Sequence, residues 1–482
     1  MAEIAIVATL SLAGVGVLAP VQHRLPRPAV VAMAFPVGAA AYLFVVTVLV
    51  SLGRSLEPGF ALALTAAVGI GAIGAAAARR SVGLDFVVSA VLAVGVTAGL
   101  AWLFRTVHLT RLTIDSMRYL LASLDLQRPG GIEEVFRPDL LKRQLGLPAL
   151  HALSGLTDRR YLASIGPLYG ISGIGFLGWL VWSRTLAWDL RRRWLLTVTA
   201  VAFLLAANRL LYDLFYVNTH IEVASLLVIG VAGMWLALVD DEPAWAVPAG
   251  LCLAATLLFR PEAPLVAAIV LIPLAASRAG WATRWAFLAP VLALTGLWYG
   301  VVLWSHAIDG SEVSLTAPVF GNLVAVALVA GLVLAGGLRR WAVLPRLAQR
   351  AMLPGLALAI AVFAAIDPSV LFESLGATAI NVGKYGLWLF TWTVAVPLMA
   401  MALLVHRFRE SRVWTDSIIG FALLFFLLPY VRESAWRVGS GDSGNRILAH
   451  ILLVAVAFLV LAAVEGRDEL EVAVPATSDD RQ

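Results

Sequence analysis

The sequence predicts an all-α polytopic membrane protein with about 13–15 transmembrane helices and an external loop of juxtamembrane helices. Three observations lead there. The 482 residues are 61% hydrophobic and only 13% charged, with a mean hydropathy of +0.90, where a soluble chain carries about 25% charged residues. The apolar runs are long enough for helices to cross a hydrocarbon layer roughly 30 Å thick, whereas a closed β-barrel would show weak alternation in ~10-residue segments. The loops between the runs differ alternately in arginine content, as in multi-pass proteins.

Residues 3–20 form the first candidate span. No basic leader or clear small-residue cleavage site accompanies them, so they read as a retained helix. Spans at 28–52, 58–78 and 84–104 follow, and then a polar stretch, 105–161. Spans resume at 162–183, 194–207, 221–239, 243–258, 261–277, 284–304, 319–337, 351–366, 385–405, 416–430 and 447–464. Those at 194–207 and 351–366 are short. The polar end, 466–482, reads as a disordered cytoplasmic tail. The chain therefore divides into extra N-terminal transmembrane helices (1–83), a transmembrane module (84–465) and the tail.

Lys142 and Lys384 are the only lysines among 35 basic residues, and Ala, Val, Leu, Gly and Arg dominate. That usage fits a GC-rich bacterial genome and places the chain in a bacterial plasma membrane. Cys252, in an apolar run, is the only cysteine, which excludes disulfides and a thiolate metal site. The net charge of +5 is spread over many loops and does not make a nucleic-acid patch.

Orientation follows from the short loops. One alternate set holds Arg24, Arg27, Arg79, Arg80, Arg184, Arg191–Arg193, Arg278, Arg284, Arg339, Arg340, Arg346, Arg350, Arg407, Arg409, Arg412, Arg467 and Arg481, or 19 of the 35 basic residues. The other, apart from 105–161, holds only Arg54, Arg209, Arg260, Lys384, Arg432, Arg437 and Arg446. The asymmetry puts the N-terminus outside, the C-terminus in the cytoplasm, and 105–161 outside with 305–318, 367–384 and 431–446. No Walker-type or dinucleotide glycine motif occurs in a suitable context. Chemistry on the external face needs a donor delivered through the membrane, because nucleotide sugars and ATP are absent there.

Within the polar stretch, TIDSMRYLLASLDL (113–126) spaces Met117, Leu120, Leu121 and Leu124 as one face of an interfacial helix. Arg128-Pro-Gly-Gly131 breaks it. FRPDLLKRQLGLPALHALSGL (136–156) continues as one or two interfacial helices with turns near Gly146 and Pro148. Asp115 falls in the first turn, where a helix favours an ionised carboxylate. It reads either as a surface-helix cap or as a group that takes a proton or binds a cation.

With these residues in place, the chain resembles the GT-C class of integral-membrane glycosyltransferases, which use polyprenyl-phosphate-linked sugars. The span 84–104 followed by TIDSMRYLLASL, a polar stretch and PALHALSGLTDRRYL resembles the family's first external loop. LLFRPEAPLVAAIVLIPL (257–274) is similar to its Arg-Pro-Glu element, and SGDSGNRILAHILL (440–453) to the start of a late span with a phosphate-facing arginine. The resemblance covers roughly 84–465. Three spans precede the family's usual first helix, no second acid sits two residues from Asp115, and no sizeable soluble domain follows.

The resemblance implies transfer of a sugar from a polyprenyl-phosphate donor to a cell-envelope glycan, glycolipid or protein, with inversion at the anomeric carbon. Asp115 is then the general base. Arg260, Lys384, Arg446, Arg209 and Arg437 are candidates for the leaving phosphate, with snorkelling to headgroups the plainer reading. Asn218, His220, Glu222, Glu262 and Asp442 are candidates for sugar or acceptor contacts. Glu133 and Glu134 are further candidates. A structural pair Glu222–Arg209 or Glu262–Arg260 is the alternative. No cofactor is expected; a divalent metal has no support from paired acids, and His108 and His151 belong to no ligand set. Trp298, Tyr299, Trp304, Trp388, Trp392 and Trp436 fit an interfacial belt first and a sugar or lipid platform second. The rival functions are a transporter or flippase of lipid-linked saccharides, which should show internal repeats and midplane ionisable groups, and a diphosphate-lipid glycan polymerase or ligase, which favours a large late loop.

Overall fold

A computed structural model of the chain describes residues 1–79, 82–106, 113–128, 144–309, 316–405 and 412–473. Glu133, Glu134, Arg137, Asp139, Lys142 and His108 lie outside these residues. Among the described residues every regular element is helical, which a bilayer requires of a chain that is not a closed barrel.

The helices run in order: α1 (Ala2–Leu18), α2 (Arg27–Ser51), α3 (Pro58–Ala78), α4 (Leu84–Phe104), α5 (Ile114–Gln127), α6 (Gly146–Ala152), α7 (Ile165–Arg184) and α8 (Leu190–Leu205). Then follow α9 (Asn208–Phe215), α10 (His220–Val239), α11 (Ala246–Thr256), α12 (Ala263–Ala276) and α13 (Trp281–Asp309). The last are α14 (Thr316–Gly337), α15 (Val343–Ile366), α16 (Pro368–Ile380), α17 (Thr391–Val405), α18 (Arg412–Val431) and α19 (Ser443–Ala473).

Each of the fifteen apolar segments coincides with a helix. Among the described residues ten are long and apolar enough to cross a membrane, or eleven if one bent pair is a single span, fewer than the 13–15 expected; four (α1, α11, α12, α17) are shorter. The segment at 194–207 becomes α8, bent by 69° into the short α9. α10 and α19 form the centre, packed on each other and on α7. α2 packs on α1, α4 and α7, and it approaches α1 at Gly14 and Gly38, where any Cβ would strike the partner's backbone. α15 exposes Val343, Leu347, Leu358, Val362 and Ile366. An apolar face of this length marks a lipid-facing surface, and the chain is a multi-pass membrane protein.

Several local expectations change. α5 forms as expected, but its packed face is Ser116, Tyr119, Leu120, Ser123 and Leu126, while Met117, Leu121 and Leu124 point outward. Gly146 and Pro148 do not turn the chain. They open α6, every residue of which is buried; Gly146 can start it because its backbone lies against Leu258, donating to that carbonyl at 2.5 Å. The helix is therefore covered by the rest of the protein, with no face left open. α19 continues through Ala473, into the segment expected to be disordered. Trp298, Tyr299, Trp388, Trp392 and Trp436 are buried, and only Trp304 of that group is exposed. Their ring nitrogens explain part of this: Trp298 donates to Gln144 at 2.7 Å and Trp388 to Asn445 at 2.6 Å.

Candidate functional site

α5 is anchored before it reaches the site. The Thr113 hydroxyl caps it by accepting from Ser116 N, and also meets the Tyr216 hydroxyl. Ser116 Oγ donates to Val217 O at 3.2 Å. These bonds fix the first turn of α5 against the start of α10 and leave Asp115 on the side facing α19. There Arg446 Nη1 donates to Asp115 Oδ2 at 2.8 Å, joining residues 331 positions apart. Asp115 is 27% and Arg446 14% exposed, so the pair is partly shielded from water yet open to it.

Two further ion pairs stand nearby. Arg260 Nε donates to Glu262 Oε1 at 2.8 Å in the turn before α12, and Arg260 also hydrogen-bonds Tyr119 of α5. Burial pushes the Glu262 carboxyl up, but the adjacent Arg260 guanidinium overrides this and holds it below the usual range. Arg209 grips Asp213 with two bonds, Nη2 to Oδ1 at 2.9 Å and Nε to Oδ2 at 3.2 Å, in a fully buried pair on α9. Its Nη1 also donates to Ser440 O at 2.6 Å, while its backbone N–H reaches Leu387 O at 2.8 Å. Arg209 therefore ties three distant segments together.

The polar residues at the start of α10 turn inward. Asn218 donates to Asp213 Oδ1 at 3.2 Å and accepts from His220 N at 2.8 Å. His220 Nδ1 and His450 Nε2 lie 2.9 Å apart with stacked rings, so one nitrogen donates to the other. Arg260, Glu262, His450 and Thr256 share a small cavity with Phe421 and apolar walls. Glu222 is 1% exposed, and its Oε2 has no hydrogen-bond partner.

Of the eleven expected site residues, Asp115, Arg446, Arg260, Glu262, Arg209, Asn218 and His220 gather at one end of the bundle, within reach of one another's fields. The pair Arg260–Glu262 forms as its structural alternative anticipated. The pair Glu222–Arg209 does not, because Asp213, four residues on along the same helix, takes the arginine. Asp442 caps α19, accepting from Gly444 N at 2.8 Å and Asn445 N at 3.3 Å. Lys384 is exposed beside its neighbour Tyr385 and makes no ion pair among the described residues. Arg437 is exposed, and among the described residues its carbonyl alone is engaged, by Asn381 at 2.9 Å.

Asp213, Tyr119 and His450 are additional members of the cluster. The four-residue spacing Arg209–Asp213 and Arg446–His450 on helices was a readable signal for two of them; Tyr119, four residues after Asp115, was hidden among apolar neighbours. No protein-family model, curated protein or solved structure matches the chain.

Proposed function

We propose that this protein is a membrane glycosyltransferase, moving a sugar from a polyprenyl-phosphate donor to a cell-envelope glycan, glycolipid or protein on the external face. The observation that carries the reading is the Asp115–Arg446 contact at 2.8 Å, with the Arg260–Glu262 pair close by. A carboxylate and cations held at one partly open place are what such a transfer needs.

In the reaction, Asp115 takes the proton of the acceptor hydroxyl as that oxygen attacks the anomeric carbon. The bond from that carbon to the phosphate oxygen breaks, and the phosphate leaves with the electron pair. Arg446 and Arg260 stabilise the charge that develops on it. One carboxylate suffices for this displacement, which inverts the anomeric centre. Exposed apolar faces such as that of α15 suit a polyprenyl chain as they suit any lipid.

The test is transfer from labelled polyprenyl-phosphate sugars by the purified protein. Wild type should form labelled product, and Asp115→Asn should not. Equal activity in both would end the mechanism.

One observation favours a carrier of lipid-linked saccharides instead. Among the described residues Glu222, buried on the central helix α10, has no cationic partner, and ionisable groups inside a membrane are costly and often mark a transport path. Vesicle assays in which Glu222→Gln abolishes movement of a labelled lipid-linked sugar, while no product forms, would favour that reading.

A further inference from the structure

Four arginines stand around the site: Arg209, Arg260, Arg446 and Arg432. The first three are each joined to a carboxylate, Asp213 at 2.9 Å, Glu262 at 2.8 Å and Asp115 at 2.8 Å. Arg432 makes no ion pair among the described residues. It follows the last residue of α18, its N–H still bonded to Leu428 O at 2.9 Å. Glu433 then adopts φ 53°, a left-handed turn that ends the helix. The turn brings Trp436 under the guanidinium, 5.4 Å from carbon to ring centroid, and leaves the Arg432 side chain exposed.

A helix C-terminus favours a cation, which explains an arginine at 432. It does not explain why that cation stands within the fields of two others. Arg432 lies within electrostatic reach of Arg260 and Arg446, and both repel it. Asp442 and Glu262 attract it from farther than ion-pair distance. The cation–π contact with Trp436 holds the guanidinium near the ring without using its donors. A second observation points to an acceptor from outside the bundle: Arg446 Nε is buried and has no hydrogen-bond partner among the described residues. A buried donor without an acceptor is costly unless something else supplies one.

We propose that Arg432 is a further anion-binding residue and that, with Arg446, it seats a phosphate group at this end of the bundle. The chemistry recognised is a phosphomonoester or phosphodiester, from a lipid headgroup or from free phosphate. Its oxygens satisfy the Arg432 fork and the orphaned Arg446 donor together, and its charge balances Arg432, which has no ion pair among the described residues. This deepens the transferase reading, because the same seat would receive the donor's phosphate.

The experiment uses the full chain in micelles of a phosphate-free maltoside detergent, with dodecyl phosphate as the probe and binding read by titration calorimetry. Arg432→Gln should weaken binding at least tenfold. Arg432→Lys should restore only part of it, because lysine keeps the charge but loses the fork. Arg54→Gln, an exposed arginine outside the cluster, should stay within twofold of wild type. A value for Arg432→Gln within twofold of wild type overturns the proposal, as does a fall of the same size in Arg54→Gln. Inorganic phosphate distinguishes the sources: full competition at millimolar concentration supports a free-phosphate seat, and its failure supports a lipid headgroup seat. Binding that depends on Arg432, without transfer of any sugar, would keep this inference and remove the transferase reading.

Discussion

The two ends of the helix bundle use arginine in opposite ways. At the end that carries the starts of α2, α13 and α18, arginines are spent on closing the structure. Arg284 is fully buried and donates to the carbonyls of Ala279, Leu274, Ala275, Val333 and Ser277, at 2.7–3.4 Å. It satisfies the open carbonyls where α12 ends and binds them to α14, work that a chain terminus otherwise leaves to water. Arg184, Arg24 and Arg27 make pairs with Asp240, Glu242 and Asp85 that are at least partly exposed. At the other end, Arg209, Arg260 and Arg446 are joined to carboxylates, Arg209 to a carbonyl as well, and Arg432 and Arg437 are open to solvent. Arg284, surrounded by carbonyls, has no donor left for a ligand; Arg446, joined to a single carboxylate beside Arg432, which has no ion pair among the described residues, can exchange partners. The difference separates scaffold from candidate site more sharply than charge alone.

The largest expected effect lies on the exchangeable side. Asp115→Asn should lower sugar transfer by about 10²–10⁴-fold, the usual range for a positioned acid or base, while melting temperature changes little because the pair is partly exposed. A comparable loss in melting temperature would move Asp115 to the scaffold side of the comparison.

Arg284→Met should do the reverse. Five carbonyls lose their donor in a buried place, and stability should fall by about 3 kcal/mol or more. The folded fraction should keep wild-type activity per molecule. Thermal unfolding in detergent, followed by fluorescence, separates the two outcomes; normal stability would mean the carbonyls find other donors.

His151 gives an intermediate effect. It is buried in α6, its Nδ1 accepting from Leu162 N at 3.3 Å, and burial lowers its pKa to about 4. The folded state thus resists a proton that the unfolded state accepts from about pH 6.5. Stability from this residue is complete above pH 6.5 and falls by about 1.4 kcal/mol per pH unit down to about pH 4. His151→Gln should flatten that part of the stability profile. An unchanged slope would assign the acid sensitivity to other groups.

Much of the fold was legible because a bilayer permits few solutions. Apolar length alone located fifteen helices, and the polar island correctly held α5 with Asp115 in its first turn. What stayed hidden depended on contacts between distant segments. The tryptophans looked like a belt, since a sequence cannot show that Asn445 and Gln144 wait inside for their ring nitrogens. Glu222 looked like a partner for Arg209, but Asp213 shares the arginine's own helix and reaches it first. The Arg446–Asp115 contact needed the loop at 440–446 to be drawn over α9 by Arg209, which no local pattern encodes.

The smallest effect should come from the exposed pairs of the scaffold end. Arg184 meets Asp240 with side chains 27% and 36% exposed, and its guanidinium also stacks 4.6 Å from the Trp235 ring centroid. An exposed pair contributes about 0–1 kcal/mol, because water and salt screen it. Arg184→Gln should therefore shift the melting temperature only slightly, and the shift should shrink further as salt is raised. A salt-independent loss would show that the stacking on Trp235, not the charge pair, holds α7 to α10. That would make even this surface arginine a packing element, and it would sharpen the contrast with Arg432, whose stacking leaves its donors unused.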